Sequence, residues 1–224
     1  MLYLNSQSIV NKINELACIA AETKPDIILV TESWCNEQIS NAYLNIPGYQ
    51  LQPELRIDRK DTANGAGGGL LTYSREGIDL LPSDKTTDFN QHSTFRVKIN
   101  NVTTTLHLIY RPPSSNDMAG LVNIIRNVDS SSILIGDFNL PGIDWENGTA
   151  DNKSKDFLEA AEEKFLEQLV NFPTHTRGNI LDLVLTNSSE MVESITSAGR
   201  IGKSDHDMLL IKLIGGPPPP LHAT

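Results

Sequence analysis

No stretch of this chain approaches the ~20 consecutive apolar residues that a membrane-spanning helix needs. Its start, Met1-Leu2-Tyr3-Leu4-Asn5, has no basic region followed by an apolar core of the kind that directs secretion. The expectation is a soluble protein, not secreted by its own signal and with no membrane partner. Cysteine is scarce: Cys18 and Cys35 fit no metal spacing and are too few for a disulfide framework, so both are expected reduced. Basic residues are short as well. Lys and Arg number 18 against 28 Asp and Glu, a net charge of −10, which is the wrong sign for gripping nucleic acid over a broad face. That balance argues against tight unaided binding to DNA, and leaves open an enzyme that gathers carboxylates around a divalent cation. Repeats are absent. The one glycine-rich string, Asn64-Gly65-Ala66-Gly67-Gly68-Gly69, lacks the Gly-Lys-Ser/Thr ending and following helix of a phosphate loop. It runs into the strand-like Leu70-Leu71-Thr72-Tyr73, so its glycines are read as permitting close backbone packing.

What is present is 224 residues, 39% of them hydrophobic, enough for one sizeable α/β domain over residues 1–214. Residues 215–224, with four consecutive prolines, read as a linker or disordered tail. The most telling stretch is Ser132-Ile133-Leu134-Ile135-Gly136-Asp137-Phe138-Asn139. A buried apolar strand ends there by delivering polar side chains to a sheet edge, where layered α/β folds place their sites. Alternation puts Asp137 and Asn139 on one side, a carboxylate that can take a proton and an amide that can donate a hydrogen bond, with Phe138 turned to the core.

Other strands end in the same way. Leu2-Tyr3-Leu4 ends at Asn5, and Ser8 is placed to cap a helix to about Thr23. Asp26 to Trp34 reads as a second buried strand that delivers Glu32, whose charge there calls for a cation, a salt bridge or a cap. Arg56, Arg59 and Lys60 form the densest basic cluster, a candidate contact for a polyanion. Thr94–Ile99 and Thr103–Tyr110 read as a hairpin turned at Asn100-Asn101. Its second strand stops at Tyr110-Arg111-Pro112-Pro113, because proline cannot continue the ladder. Met118–Val128 and about Ser154–Leu169 read as helices. Ile180–Thr186 carries a lone carboxylate, Asp182, that must be hydrogen-bonded, with a histidine as natural partner. Ser204-Asp205-His206-Asp207 opens the last strand, Met208–Ile214.

Taken in order, Glu-Ser-Trp around Glu32, Gly-Asp-Phe-Asn and Ser-Asp-His resemble the endonuclease/exonuclease/phosphatase superfamily, which includes deoxyribonuclease I and the apurinic/apyrimidinic endonucleases. Tyr110-Arg111-Pro112-Pro113 and the string from Pro173-Thr174-His175-Thr176-Arg177 to Thr186 look like the endonuclease domain of a LINE-type non-long-terminal-repeat retrotransposon. The resemblance implies a four-layer αββα sandwich, two packed sheets flanked by helices, with a three-layer parallel sheet as the other architecture. It implies a Mg²⁺-dependent DNA endonuclease, Mn²⁺ substituting, that nicks one strand and leaves a 3′ hydroxyl to prime reverse transcription. Glu32 would bind the metal with Asn5 beside it and Asp205 near the metal or the histidine. Asp137 would orient or deprotonate water, Asn139 and Tyr110 would hold the phosphate, and His206, held by Asp182, would donate to a phosphate oxygen. Arg111, Thr174, Thr176, Arg177 and Ser204 would contact DNA. A reverse transcriptase domain would follow in the same polyprotein, synthesised in the cytoplasm and acting in the nucleus, the isolated domain being monomeric. Pro113 stands where some relatives carry an asparagine, a contact Asn116 would have to supply. The competing readings are a phosphoesterase of the same fold acting on abasic DNA or inositol phosphate, and a catalytically silent DNA-binding or assembly module.

Overall fold

A computed structural model describes residues 1–59, 67–83, 89–99 and 102–214. The elements run β1 (Leu2–Asn5), α1 (Ile13–Thr23), β2 (Ile27–Thr31), β3 (Tyr49–Leu51), β4 (Leu71–Arg75), β5 (Leu81–Pro82), β6 (His92–Ile99) and β7 (Val102–Tyr110). There follow α2 (Met118–Arg126), β8 (Ser132–Asp137), β9 (Ile143–Asp144), β10 (Thr149–Ala150), α3 (Lys155–Glu163), β11 (Glu167–Gln168), β12 (Asp182–Thr186), β13 (Val192–Ser197) and β14 (Leu209–Leu213).

They form two six-stranded sheets, ordered β13-β14-β1-β2-β4-β3 and β11-β12-β8-β7-β6-β5, plus the β9/β10 pair. Each large sheet has one parallel pair at its middle, β1 with β2 and β7 with β8, flanked by antiparallel neighbours. A parallel pair needs a crossover, and α1 and α2 supply the two. The continuous apolar runs are explained by burial on both faces of each strand. In β8, Ile133 and Ile135 face the core between the sheets, while Leu134 and Phe138 pack under α2 and α3. In β1, Tyr3 faces the central core while Leu2 and Leu4 pack with Leu16 and Ala20 of α1. The result is the expected four-layer sandwich, α1, sheet, sheet, then α2 with α3, and the parallel three-layer architecture is set aside.

Local boundaries differ most from the sequence reading at Ser8, at Glu32 and after Glu163. Ser8 caps no helix: it is left-handed at φ 77°, its N–H bonds the Glu32 carbonyl at 2.9 Å, and α1 begins only at Ile13 with Lys12 at the N-cap, where its side chain makes no capping bond. β2 stops at Thr31, because Glu32 and Trp34 turn left-handed at φ 49° and 57°. The helix expected to reach Leu169 ends at Glu163; Phe165 sits at φ 54°, and Glu167 and Gln168 pair with Thr186 and Leu185 of β12. Helical periodicity loses there to the open edge of β12, which gains ladder bonds by recruiting those two residues. The Asn100-Asn101 turn, Lys60, residues 64–66 of the glycine string and the 215–224 tail lie outside the described residues.

Candidate active site

Both crossovers deliver the carboxyl ends of their parallel pairs to one edge of the sandwich, as strand-end sites require. β1 ends at Asn5 and β2 leads into Glu32; β7 ends at Tyr110 and β8 at Asp137, while β12 begins at Asp182 opposite Asp137. Asn5 closes the gap between the sheets: its amide nitrogen donates to Asp137 Oδ2 at 2.9 Å and to Glu32 Oε1 at 3.3 Å. A cleft of about 370 Å³ opens beside them, lined by Glu32, Asp137, Asn139, His175, Arg177 and His206 among others. A larger cavity of about 570 Å³ lies at the opposite end of the sheets, where the one carboxylate, Asp26, is exposed and ion-paired with Arg75. The chemistry therefore belongs to the smaller cleft.

The centre of the cleft is a histidine held between acids. His206 Nδ1 donates to Asp182 Oδ2 at 2.7 Å, and Nε2 points toward Asp205 Oδ1 at 3.6 Å and Asp137 Oδ2 at 3.9 Å. Burial opposes its charge. The bond and charge of Asp182, with Asp137 and Asp205 beyond it, outweigh that cost and push the imidazolium up to about 9. Among the described residues the Nε2 side has no acceptor at hydrogen-bond distance, so it is available to a ligand. Asp137, fully buried, is pushed the other way for a carboxylate: burial first, then the charges of Asp182 and Glu32, raise its pKa, while His206 and the Asn139 N–H oppose. Tyr110 stays a phenol, because burial and the Glu32 and Asp137 charges hold its proton.

Asn139 reaches the cleft by a route the alternation argument missed. The strand ends at Asp137 and Asn139 adopts φ 48°, bending back so that its N–H meets Asp137 Oδ1 at 3.1 Å. Its amide nitrogen donates to the Arg111 carbonyl at 2.9 Å, and Arg111 Nη1 returns a bond to the Asn139 carbonyl at 3.0 Å. Arg111 is thus a brace for the 137–139 turn. Thr174 and Ser204 are also struts. Thr174 is buried and accepts from the Leu181 and Asp182 N–H groups, each at 3.1 Å; Ser204 donates to the Asn5 carbonyl at 2.9 Å and accepts from the His206 N–H. Thr176 and Arg177 are exposed, Arg177 and Pro113 line the cleft, and Asn116 is exposed and does not line it. Arg56, read as a polyanion contact, is spent on Asp58, Asn41 and the Asn36 carbonyl.

Four supporting residues escaped sequence reasoning. Trp34 donates its indole N–H to Glu32 Oε2 at 3.1 Å, Gln7 and His175 hold Asp205, and Tyr3 donates to Asp182 Oδ1 at 2.7 Å. Tyr3 had a readable signal, since two residues before Asn5 it shares that strand face; the others come from loops whose folding no periodicity reports. Tyr3→Phe is expected to destabilise the protein by roughly 1.5–3 kcal/mol, the range for a hydrogen bond to a charged group. Thermal melts that coincide with the wild type would show that the Tyr3 bond contributes nothing.

The residues also fit a cation. Glu32, Asp137 and Asp205 line one cleft and, among the described residues, none makes an ion pair with Lys or Arg. Carboxylate oxygens gathered in this way suit a hard divalent ion. Asn5, expected beside the metal, turns its N–H groups to the carboxylates and its oxygen to the Gln7 N–H at 3.2 Å, so it spaces the acids.

Comparison with known proteins agrees with this geometry. Residues 104–210 match the family model described as endonuclease-reverse transcriptase. No curated protein matches the chain. Among solved structures it is similar to the endonuclease domain of TRAS1, a telomere-specific non-LTR retrotransposon, at 17% identity and a TM-score of 0.71, covering 95% of this chain and 96% of that one. An AP endonuclease from Archaeoglobus fulgidus follows at 16% and 0.67, over 95% and 98% of the two chains. A 3′ phosphatase, NExo, from Neisseria, bound to product DNA hairpin, matches at 15% and 0.69 over the same shares. At such identities the likeness carries the fold.

Proposed function

We propose that this chain is a member of the endonuclease/exonuclease/phosphatase superfamily, and within it a divalent-metal-dependent DNA endonuclease that nicks one strand and leaves a 3′ hydroxyl to prime reverse transcription. The single observation that carries the reading is His206 Nε2 standing 3.9 Å from Asp137 Oδ2 in an acid-lined cleft, with Asp182 bonded behind the ring at 2.7 Å.

Asp137, with its raised pKa, is the base that takes a proton from attacking water, and protonated His206 donates to a non-bridging phosphate oxygen as charge builds there. Asn139 gives one amide hydrogen to Arg111 and keeps the other for the phosphate. Glu32 and Asp205 would hold a Mg²⁺ or Mn²⁺ ion, which neutralises charge on the phosphate and the leaving oxygen when bound. DNA contacts fall to Thr176 and Arg177, while Thr174, Ser204 and Arg111 shape the site from behind. The retrotransposon reading adds a reverse transcriptase encoded after this domain, and action in the nucleus on chromosomal DNA.

The test is conversion of supercoiled plasmid to open circle with Mg²⁺, with chelator, and with Glu32→Gln, beside an assay for inositol polyphosphate release. Metal-dependent nicking is expected, lost with chelator and reduced about 10²-fold or more in Glu32→Gln. Phosphate release without nicking would move the substrate to a small phosphoester, and nicking that persists in chelator would remove the metal from the mechanism.

A further inference from the structure

Asp205 is the most exposed acid at the cleft, with its side chain 39% accessible, yet it is held at three points. Gln7 grips it twice: Gln7 Nε2 donates to Asp205 Oδ1 at 2.6 Å, and the Asp205 N–H donates to Gln7 Oε1 at 3.2 Å. His175 Nε2 meets the other oxygen, Oδ2, at 3.1 Å. The loops that bring these residues are themselves tied down. Gln7 adopts φ 41°, a left-handed conformation seldom taken by residues with side chains, and Lys12 Nζ bonds the Ser6 and Gln7 carbonyls at 2.5 and 3.1 Å. The His175 segment is laced to the His206 segment by an isolated bridge between the two residues and by Thr176 N–H to the Asp205 carbonyl at 2.9 Å.

The hydrogen-bond pattern also fixes which His175 nitrogen carries hydrogen. Nδ1 accepts the Arg177 N–H at 3.1 Å, and a ring nitrogen that accepts has no hydrogen of its own. The hydrogen therefore sits on Nε2, aimed at Asp205. A neutral ring so placed is a donor, with no lone pair on Nε2 to offer a metal. The donor atoms of His175, Asp205 and His206 do lie within 4.8 Å of one another, close enough for an ion to bridge. Coordination through His175 Nε2 would move the hydrogen to Nδ1, where it would face the Arg177 N–H. The His175 ring stands edge-on to His206, with centroids 4.9 Å apart and planes at 80°.

We infer that His175 is a positioning residue, a neutral hydrogen-bond donor that works with Gln7 to hold the Asp205 carboxylate beside the Nε2 side of His206. The inference rests on reading this cleft as the phosphodiester-cleaving centre. His175 does not touch substrate in this arrangement; it acts through Asp205.

The experiment uses the full 224-residue chain carrying His175→Ala or His175→Gln, with folding checked by circular dichroism. His175→Ala is expected to lower kcat for plasmid nicking by about 10–100-fold with KM little changed, the usual cost of losing a group that orients a reacting one. Glutamine places an amide donor near the lost Nε2, so His175→Gln should return to within a few-fold of wild type. Spectra of ¹⁵N-histidine-labelled protein, which need no activity, should show His175 as the Nε2–H tautomer, and that tautomer should persist when Zn²⁺ is added. A fully active alanine variant, a glutamine variant as impaired as alanine, or a His175 ring found as Nδ1–H with or without Zn²⁺ would each overturn the assignment. If the wild type does not nick DNA, the functional reading falls, and the spectra decide the hydrogen-bond assignment alone.

Discussion

Replacing His206 by alanine is expected to slow nicking by roughly 10²–10⁴-fold, the scale of one proton donor or oxyanion partner, and Asp137→Asn to do the same. The two act on one phosphate from 3.9 Å apart, so the double variant should lose little more than the worse single one. The pH profile separates them. His206 is raised to about 9, so its charged form persists through neutral pH and activity should fall as pH rises through about 9. Asp137 must be ionised to act as a base, and its raised pKa brings the acid limb of the profile closer to neutrality. The alkaline limb should disappear in His206→Ala. Stability follows the same histidine. Its folded value lies above the ordinary 6.5, so the charged ring stabilises the native state fully below about 6.5, and that contribution is lost as pH rises through about 9. Kinetics that show no loss in His206→Ala, or melting that is flat across that interval, would contradict the assigned role.

The second large effect is structural. Gly136→Ala is expected to cost about 3 kcal/mol or more, at the upper end for overpacking, which for a domain of this size lowers the melting temperature by roughly 6–12 °C. Gly136 pairs with Ile109 across the parallel β7/β8 ladder, and a Cβ on it would stand 1.8 Å from the Ile109 carbonyl oxygen and 2.7 Å from its carbon. Those atoms are backbone and have no rotamer to retreat into. Relief requires the two strands to part, and Asp137 is the next residue, so nicking should fall with stability. Gly77→Ala is the control: Gly77 is left-handed at φ 88° but meets nothing within 4 Å, so it should cost only about 1 kcal/mol. Equal melting shifts for the two variants would show that close approach at Gly136 is not what matters.

Gly136 also marks a limit of reading from sequence. In the string Ile135-Gly136-Asp137 a glycine reads as punctuation at a strand end, whereas it lies inside the ladder at a position with no room for a Cβ. The strand ends themselves were readable, because a run buried on both faces leaves its first polar residue little choice but the sheet edge. Asn5, Glu32, Tyr110 and Asp137 declared themselves in that way, whereas Asp182, read within Ile180–Thr186, opens its strand. His206 beside Asp182 followed from the need of a buried carboxylate for a donor.

The partners of those residues were decided by tertiary structure. Helical periodicity carries α3 on to Leu169, but the open edge of β12 takes Glu167 and Gln168, because ladder bonds to a waiting edge outweigh a weak local preference. Thr174 and Ser204 have the side chains of DNA contacts and the positions of struts, since a hydroxyl in a buried turn meets unpaired backbone N–H groups before it meets a ligand. Gln7 and His175 lie far apart in the chain and share no pattern with Asp205, so only the closure of two loops over one carboxylate gives them a role. Alternation and the cost of burying charge, both legible in the residue order, settle which side chains reach the edge. Which way each one turns, and what holds it there, was decided by the packing of the two sheets, because hydrogen-bond partners are set by distances that exist only in the folded chain.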